Sequence, residues 1–134
     1  MKGAYLLLIK VHNQTTIKIG AQGELTFKQG IYIYVGSAMG IIGSTTLLNR
    51  VKRHVRTKDL KKTHWHIDYF LNSESTHIIR LYLIPSKKRI ECYLASRLER
   101  IAEEIIPNFG CSDCNCSGHL FYFTSNGNLS SFLE

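Results

Sequence analysis

Five side chains suited to phosphate chemistry lie in order along the chain: Tyr5, Tyr34, Arg50, His54 and Glu91. A phenol can pass a proton to or from an attacking water. A guanidinium can neutralise charge developing on a phosphoryl oxygen. An imidazole can orient water or relay protons, and a lone carboxylate can hold a Mg²⁺ or Mn²⁺ ion that keeps most of its waters. Tyr34 opens the segment YVGSA, and Arg50 and His54 bracket RVKRH. One segment reads as a strand that stops at a glycine, the other as a helix carrying an arginine and a histidine one turn apart.

The elements that must hold these residues follow from hydrophobic periodicity. Tyr5 to Val11 is a run of large and branched apolar residues, the pattern of a buried strand. Asn13 and Gln14 mark a turn. Ile17–Ile19 and Glu24–Phe27 read as short strands around Gly20–Gly23. Ile31 to Val35 alternates, with Ile31, Ile33 and Val35 on one face and Tyr32 and Tyr34 on the other. A glycine-rich loop is expected from Gly36 to Gly43, and Ser44 or Thr45 is the candidate cap of a helix over 46–57. On that helix Leu47, Leu48, Val51 and Val55 form an apolar stripe, and Arg50 and His54 lie on its flank. Ile78 to Ile84 reads as a strand ended by Pro85, and Leu120 to Thr124 as the last strand.

A second helix is expected over 90–106. Its apolar face is built from Ile90, Leu94, Ala95, Leu98, Ile101, Ala102, Ile105 and Ile106, and steps of about 100° put Glu91 near the middle of that face. A carboxylate there is costly unless it is paired or bound to a cation. The helix N-terminus helps to hold it ionised. Glu91 is therefore either a first-turn glutamate at the open end of the helix or the carboxylate of a metal or phosphate site.

The chain has 134 residues and a formal net charge of +7, and no apolar run approaches the roughly 20 residues of a membrane span. The N-terminal apolar run is broken by Lys10 and His12, so it reads as a first strand, and a cytoplasmic location is expected. The positive surplus concentrates where Arg50, Lys52, Arg53, Arg56, Lys58, Lys61 and Lys62 meet only Asp59. A solvated helix and loop would account for such a cluster. Its localisation favours a polyanion, with Lys52, Arg53, Arg56, Lys58, Lys61 and Lys62 as the nucleic-acid-binding set.

In these residues the sequence resembles the GIY-YIG nuclease superfamily. Gly3-Ala4-Tyr5 is similar to its first-strand element, with alanine in place of isoleucine, and Tyr34-Val35-Gly36 to its second, extended as YVGSA like that of phage homing endonucleases. Arg50 and His54 match the helical arginine and histidine, His64 falls close to a further histidine, and Glu91 matches the metal-binding glutamate. The literal GIY at Gly30–Tyr32 abuts YVG on one strand, so it does not supply the first-strand element. The residues between Ile17 and Phe27 then form an inserted hairpin.

The chain also resembles a small prokaryotic branch of GIY-YIG-like proteins with an HWHIDY segment, here His64–Tyr69, and a late SDC-x-C…HLF segment, here Ser112–Phe121. Some members of that branch are joined to endonuclease III-like repair enzymes. The resemblance implies an α+β domain with a small central antiparallel sheet flanked by helices. It further implies divalent-metal hydrolysis of DNA phosphodiesters, with Tyr5 or Tyr34 as proton acceptor, Arg50 on the phosphate, His54 and His64 as relays and Glu91 on Mg²⁺ or Mn²⁺. DNA is the expected partner, together with a DNA-repair enzyme. A catalytically silent nucleic-acid-binding module on the same fold is the alternative. One domain over 1–134 is expected, with a core over 2–106, a Cys/His loop and last strand over 107–125 and a tail over 126–134.

Two further clusters remain. Cys111, Cys114, Cys116 and His119 form C-x₂-C-x-C-x₂-H. They are compatible with a structural Zn²⁺ site, which would suit an interaction protein, with free thiols beside a loop histidine, or with a disulfide. His64, His66 and Asp68 have period 2 and would share a face on a strand. They could then line a metal site or the DNA surface, or simply form a polar face beside a packed Trp65, Ile67 and Tyr69.

Overall fold

The computed structural model describes residues 2–40, 43, 46–55, 66–107, 109 and 119–124. It is an α+β fold with the order β1 (Gly3–Val11), β2 (Thr15–Lys18), β3 (Glu24–Phe27), β4 (Gly30–Ala38), α1 (Leu47–His54), α2 (His66–Leu71), β5 (Thr76–Pro85), α3 (Glu91–Ile101), β6 (Glu104–Ile106) and β7 (Leu120–Phe123). The central sheet has five strands in the order β5-β1-β4-β7-β6, and every pair is antiparallel. Strands β2 and β3 form a separate hairpin joined by a turn of 3₁₀ helix at Gly20–Gln22.

The inner strands are buried on both faces because, Lys10 and Ser37 apart, their side chains are apolar or aromatic. Tyr5, Leu7, Ile9, Tyr32, Tyr34, Leu120 and Tyr122 point to one side. There they pack with Leu47 and Val51 of α1, with Ile67, Phe70 and Leu71 of α2 and with Phe27 of the inserted hairpin. Leu6, Leu8, Ile33, Val35, Phe121 and Phe123 point to the other side, against Ala95 and Leu98 of α3. The alternation expected for Ile31–Val35 is present, and the hydrophobic core extends beyond residue 106 to Phe123.

Four elements differ from expectation. Strand β4 continues through Gly36 to Ala38, its partners on β1 running from Gly3 to Val11, so the segment after Tyr34 is strand before it is loop. Helix α1 is capped by Thr46, whose hydroxyl accepts from the Asn49 N–H at 3.4 Å. The candidate caps Ser44 and Thr45 lie outside the described residues. The buried face of α1 is Leu47, Val51 and His54, whereas Leu48 and Val55 are exposed. The third difference is that residues 66–71, including His66 and Asp68, form a helix. Ile67, Phe70 and Leu71 have helical spacing and are all buried, and that gain outweighs the strand-like alternation of the polar residues. Finally, α3 ends at Ile101, and Glu104–Ile106 is a strand paired to β7. Ile106 precedes Pro107, whose ring disfavours helical backbone at the residue before it.

No helix among the described residues is long and apolar enough to cross a membrane.

Candidate functional site

The β1–β4 register sets Tyr5 directly beside Gly36. A Cβ on Gly36 would overlap Cζ and Oη of Tyr5, so the glycine is what lets the phenol lie across the neighbouring strand. From there Tyr5 Oη shares a buried hydrogen bond of 2.7 Å with His54 Nε2. Helical spacing turns His54 inward with Leu47 and Val51, and its ring lies 5.4 Å from that of Tyr5 and 6.2 Å from that of Tyr34. The two tyrosine rings are 6.4 Å apart.

Burial pushes the Tyr5 hydroxyl well above the usual phenol range. The neighbouring Tyr34 adds to this and the Arg50 guanidinium partly opposes it. Tyr34 is raised as well, chiefly by burial, then by the negative charges of Glu91 and Asp68. Both are neutral phenols at physiological pH, so neither is a phenolate base in the resting protein.

Strand β4 is gripped from both sides at Ser37. Arg50 of α1 donates from Nη1 to the Ser37 carbonyl at 3.4 Å. The Ser37 hydroxyl, on the α3 side of the strand, donates to Glu91 Oε1 at 2.8 Å. Arg89 reaches the same carboxylate oxygen at 3.5 Å, but its side chain is largely in water, so it holds Glu91 weakly. The second oxygen, Glu91 Oε2, faces His119 Nδ1 at 3.4 Å. His119 is buried, and its backbone is fixed at both ends: its N–H donates to the Phe109 carbonyl at 2.8 Å and its carbonyl accepts from Val35 N–H at 2.9 Å. Burial pushes the His119 ring below the ordinary imidazole range, and the Glu91 charge opposes that shift.

The fold thus brings Tyr5, Tyr34, Arg50, His54 and Glu91 to one end of the central strands. It adds three residues that sequence reasoning did not place there: Ser37, Arg89 and, as a neighbour of Glu91, His119. The signal for Ser37 is a polar residue in register with Ile33 and Val35 on the α3 face. The His119–Glu91 approach has no local signal, because it depends on β7 pairing with β4.

Arg53, expected on the nucleic-acid surface, forms a two-bond ion pair with buried Asp68, at 2.9 and 3.1 Å. That pair ties α1 to α2, and it places Asp68 on a helix facing Arg53, not on a histidine-bearing strand face. His66 packs its ring 5.6 Å from Phe109 and meets the Gln22 amide at 3.2 Å. Lys52 is exposed. Arg56, Lys58, Lys61, Lys62, His64, Cys111, Cys114 and Cys116 lie outside the described residues. Among the described residues no three His, Cys, Asp or Glu side chains gather to hold a metal ion.

Fold and site together define a small α+β domain with a buried tyrosine–histidine pair on one face of its central strand and an oriented carboxylate on the other. The chain belongs to the family described as the domain of unknown function DUF123, whose model matches residues 4–134. No curated protein and no solved structure matches it.

Proposed function

We propose that this domain binds DNA and hydrolyses its phosphodiester bonds with the help of one divalent metal ion, the activity that the GIY-YIG resemblance implies. The observation that carries the reading is the buried Tyr5–His54 hydrogen bond, set on the face of the strand whose Ser37 is held by Arg50 and Glu91. A neutral tyrosine cannot simply absorb a proton. It can take one from an attacking water while its own passes to His54 Nε2, and the 2.7 Å contact supports that concerted relay. The oxygen of that water then bonds to phosphorus, the bond from phosphorus to the leaving oxygen breaks, and the leaving oxygen is protonated from solvent. Arg50 neutralises charge on the phosphoryl oxygens as this happens. Glu91 fits an ion held by few protein ligands: its carboxylate is oriented by the Ser37 hydroxyl and its side chain is only 13% exposed. When bound, such an ion lowers the pKa of water and stabilises developing negative charge.

The depth of the relay favours a second reading. Tyr5 and His54 are each 2% exposed, which suits a structural pair inside a catalytically silent nucleic-acid-binding module. Nicking of supercoiled DNA with Mg²⁺ or Mn²⁺ separates the two. The hydrolytic reading expects cleavage by the wild type, none by Glu91→Ala or Arg50→Ala, and a loss of about 10²–10⁴-fold in Tyr5→Phe. Salt-sensitive binding without cleavage of any DNA form would overturn it in favour of the silent module.

A further inference from the structure

We infer that Glu91 and His119 together form a carboxylate–imidazole seat for a first-row divalent cation, in preference to Mg²⁺. The inference rests on the reading of Glu91 as the ion-holding carboxylate and adds to it a ligand from the far end of the chain.

The geometry carries it. Oε1 of Glu91 is taken by the Ser37 hydroxyl at 2.8 Å, which turns Oε2 toward His119. A supporting hydrogen bond of this kind orients ligands around metals. The 3.4 Å between Oε2 and Nδ1 exceeds the roughly 2.7–2.9 Å of a charge-assisted hydrogen bond. Two donors each about 2.1 Å from a shared ion, at an angle of about 100–110°, lie roughly 3.2–3.4 Å apart. The spacing thus matches two ligands of one ion better than a strong ion pair. The backbone of His119 is bonded to Val35 on β4 and to Phe109, and it leads directly into β7.

The chemistry of the pair sets the preference. Mg²⁺ favours oxygen ligands and keeps its waters, whereas the later first-row ions such as Zn²⁺ take imidazole nitrogen readily. Mn²⁺ leans toward oxygen and is the weakest binder of that row at a mixed nitrogen–oxygen site, which makes it the most demanding probe. Among the described residues the seat offers one nitrogen and one oxygen, a donor set that suits the first-row ions.

Mn²⁺ alone, added to the metal-stripped full chain, tests the inference without any nuclease assay. Pulsed electron paramagnetic resonance of the bound ion should show coupling to an imidazole nitrogen in the wild type. His119→Gln should lose that coupling and bind Mn²⁺ at least about tenfold more weakly. Its Mg²⁺ affinity should change far less, and circular dichroism would confirm that the variant is folded. Failure of the wild type to bind Mn²⁺, binding without nitrogen coupling, or coupling that persists in His119→Gln would each overturn the seat, the first two without requiring a folded variant. The nuclease reading stands or falls separately. Cleavage with Mg²⁺ but no nitrogen coupling removes the seat alone, and nitrogen coupling without cleavage removes the hydrolytic activity alone.

Discussion

Gly36→Ala is the most direct test of how the site is built. Gly36 is not among the glycines with positive φ, so alanine meets no backbone penalty there. At such positions Gly→Ala ordinarily stabilises a protein by about 0.4–1 kcal/mol, because it restricts the unfolded chain. Here the new Cβ would overlap the ring and hydroxyl of Tyr5, which is buried and tied to His54. Overpacking of this kind costs about 1–3 kcal/mol. If the ring turns away to relieve it, the buried Tyr5–His54 hydrogen bond is lost, at a further ~1–3 kcal/mol. Set against the gain from the unfolded state, the net loss should be about 1–5 kcal/mol, a sizeable part of a typical total of about 5–15 kcal/mol. Urea denaturation should show a lower midpoint with an unchanged slope. The cause can be isolated in a double-mutant cycle: with the ring removed by Tyr5→Leu, the added cost of Gly36→Ala should shrink, giving a coupling of about 1–3 kcal/mol. A Gly36→Ala protein as stable as the wild type, or strict additivity with Tyr5→Leu, would refute the account of this glycine.

Two more outcomes follow from the buried groups. Tyr5, Tyr32 and Tyr34 all have raised folded-state pKa values, so above pH 10 the unfolded chain loses phenolic protons that the folded chain keeps. Their contribution is therefore intact below pH 10 and falls as pH rises, by about 1.4 kcal/mol per pH unit for each tyrosine and about 4 for the three together. The phenolate absorbance of three of the seven tyrosines should lag in the folded state and then appear together with cooperative unfolding; ionisation of all seven near pH 10 in a still-folded protein would contradict this. The second outcome concerns Asp68→Asn, which breaks the ion pair that joins α1 to α2. It should cost about 3 kcal/mol, the low end for a buried pair because Arg53 keeps some contact with water. A loss below about 1 kcal/mol in thermal or urea melts would show that the pair does not hold the helices together.

What could be read from residues alone was mostly local. The alternation of Ile31–Val35 put both tyrosines on one face because a strand repeats every two residues. The separation of Gly3–Tyr5 from Gly30–Tyr32 followed from the second being continuous with YVG. Errors came where a local pattern had two solutions. His66 and Asp68 alternate like strand residues, yet Ile67, Phe70 and Leu71 bury better as a helix, and the apolar spacing of α3 runs on in the sequence to Ile106 although Pro107 stands against it. Charge alone does not reveal that Arg53 faces a buried Asp68, because that contact joins two helices. The approach of His119 to Glu91 was not legible at all. It arises from the pairing of β7 with β4, a contact between segments far apart in the chain.

That pairing has a consequence for the order in which the protein comes into being. Strand β4 ends at Ala38, and the strand that covers its outer edge does not begin until Leu120. At roughly 5–20 residues per second, translation separates the two by roughly 4–16 seconds. During that interval Tyr5, Tyr34, Arg50, His54 and Glu91 have all been synthesised, but one side of β4 is an open hydrogen-bonding edge and His119 does not yet exist. The nascent chain therefore passes through a stage in which all five of these residues are present without the strand that closes the sheet beside them. At that stage a competing strand from another chain meets the same open edge that β7 will later occupy.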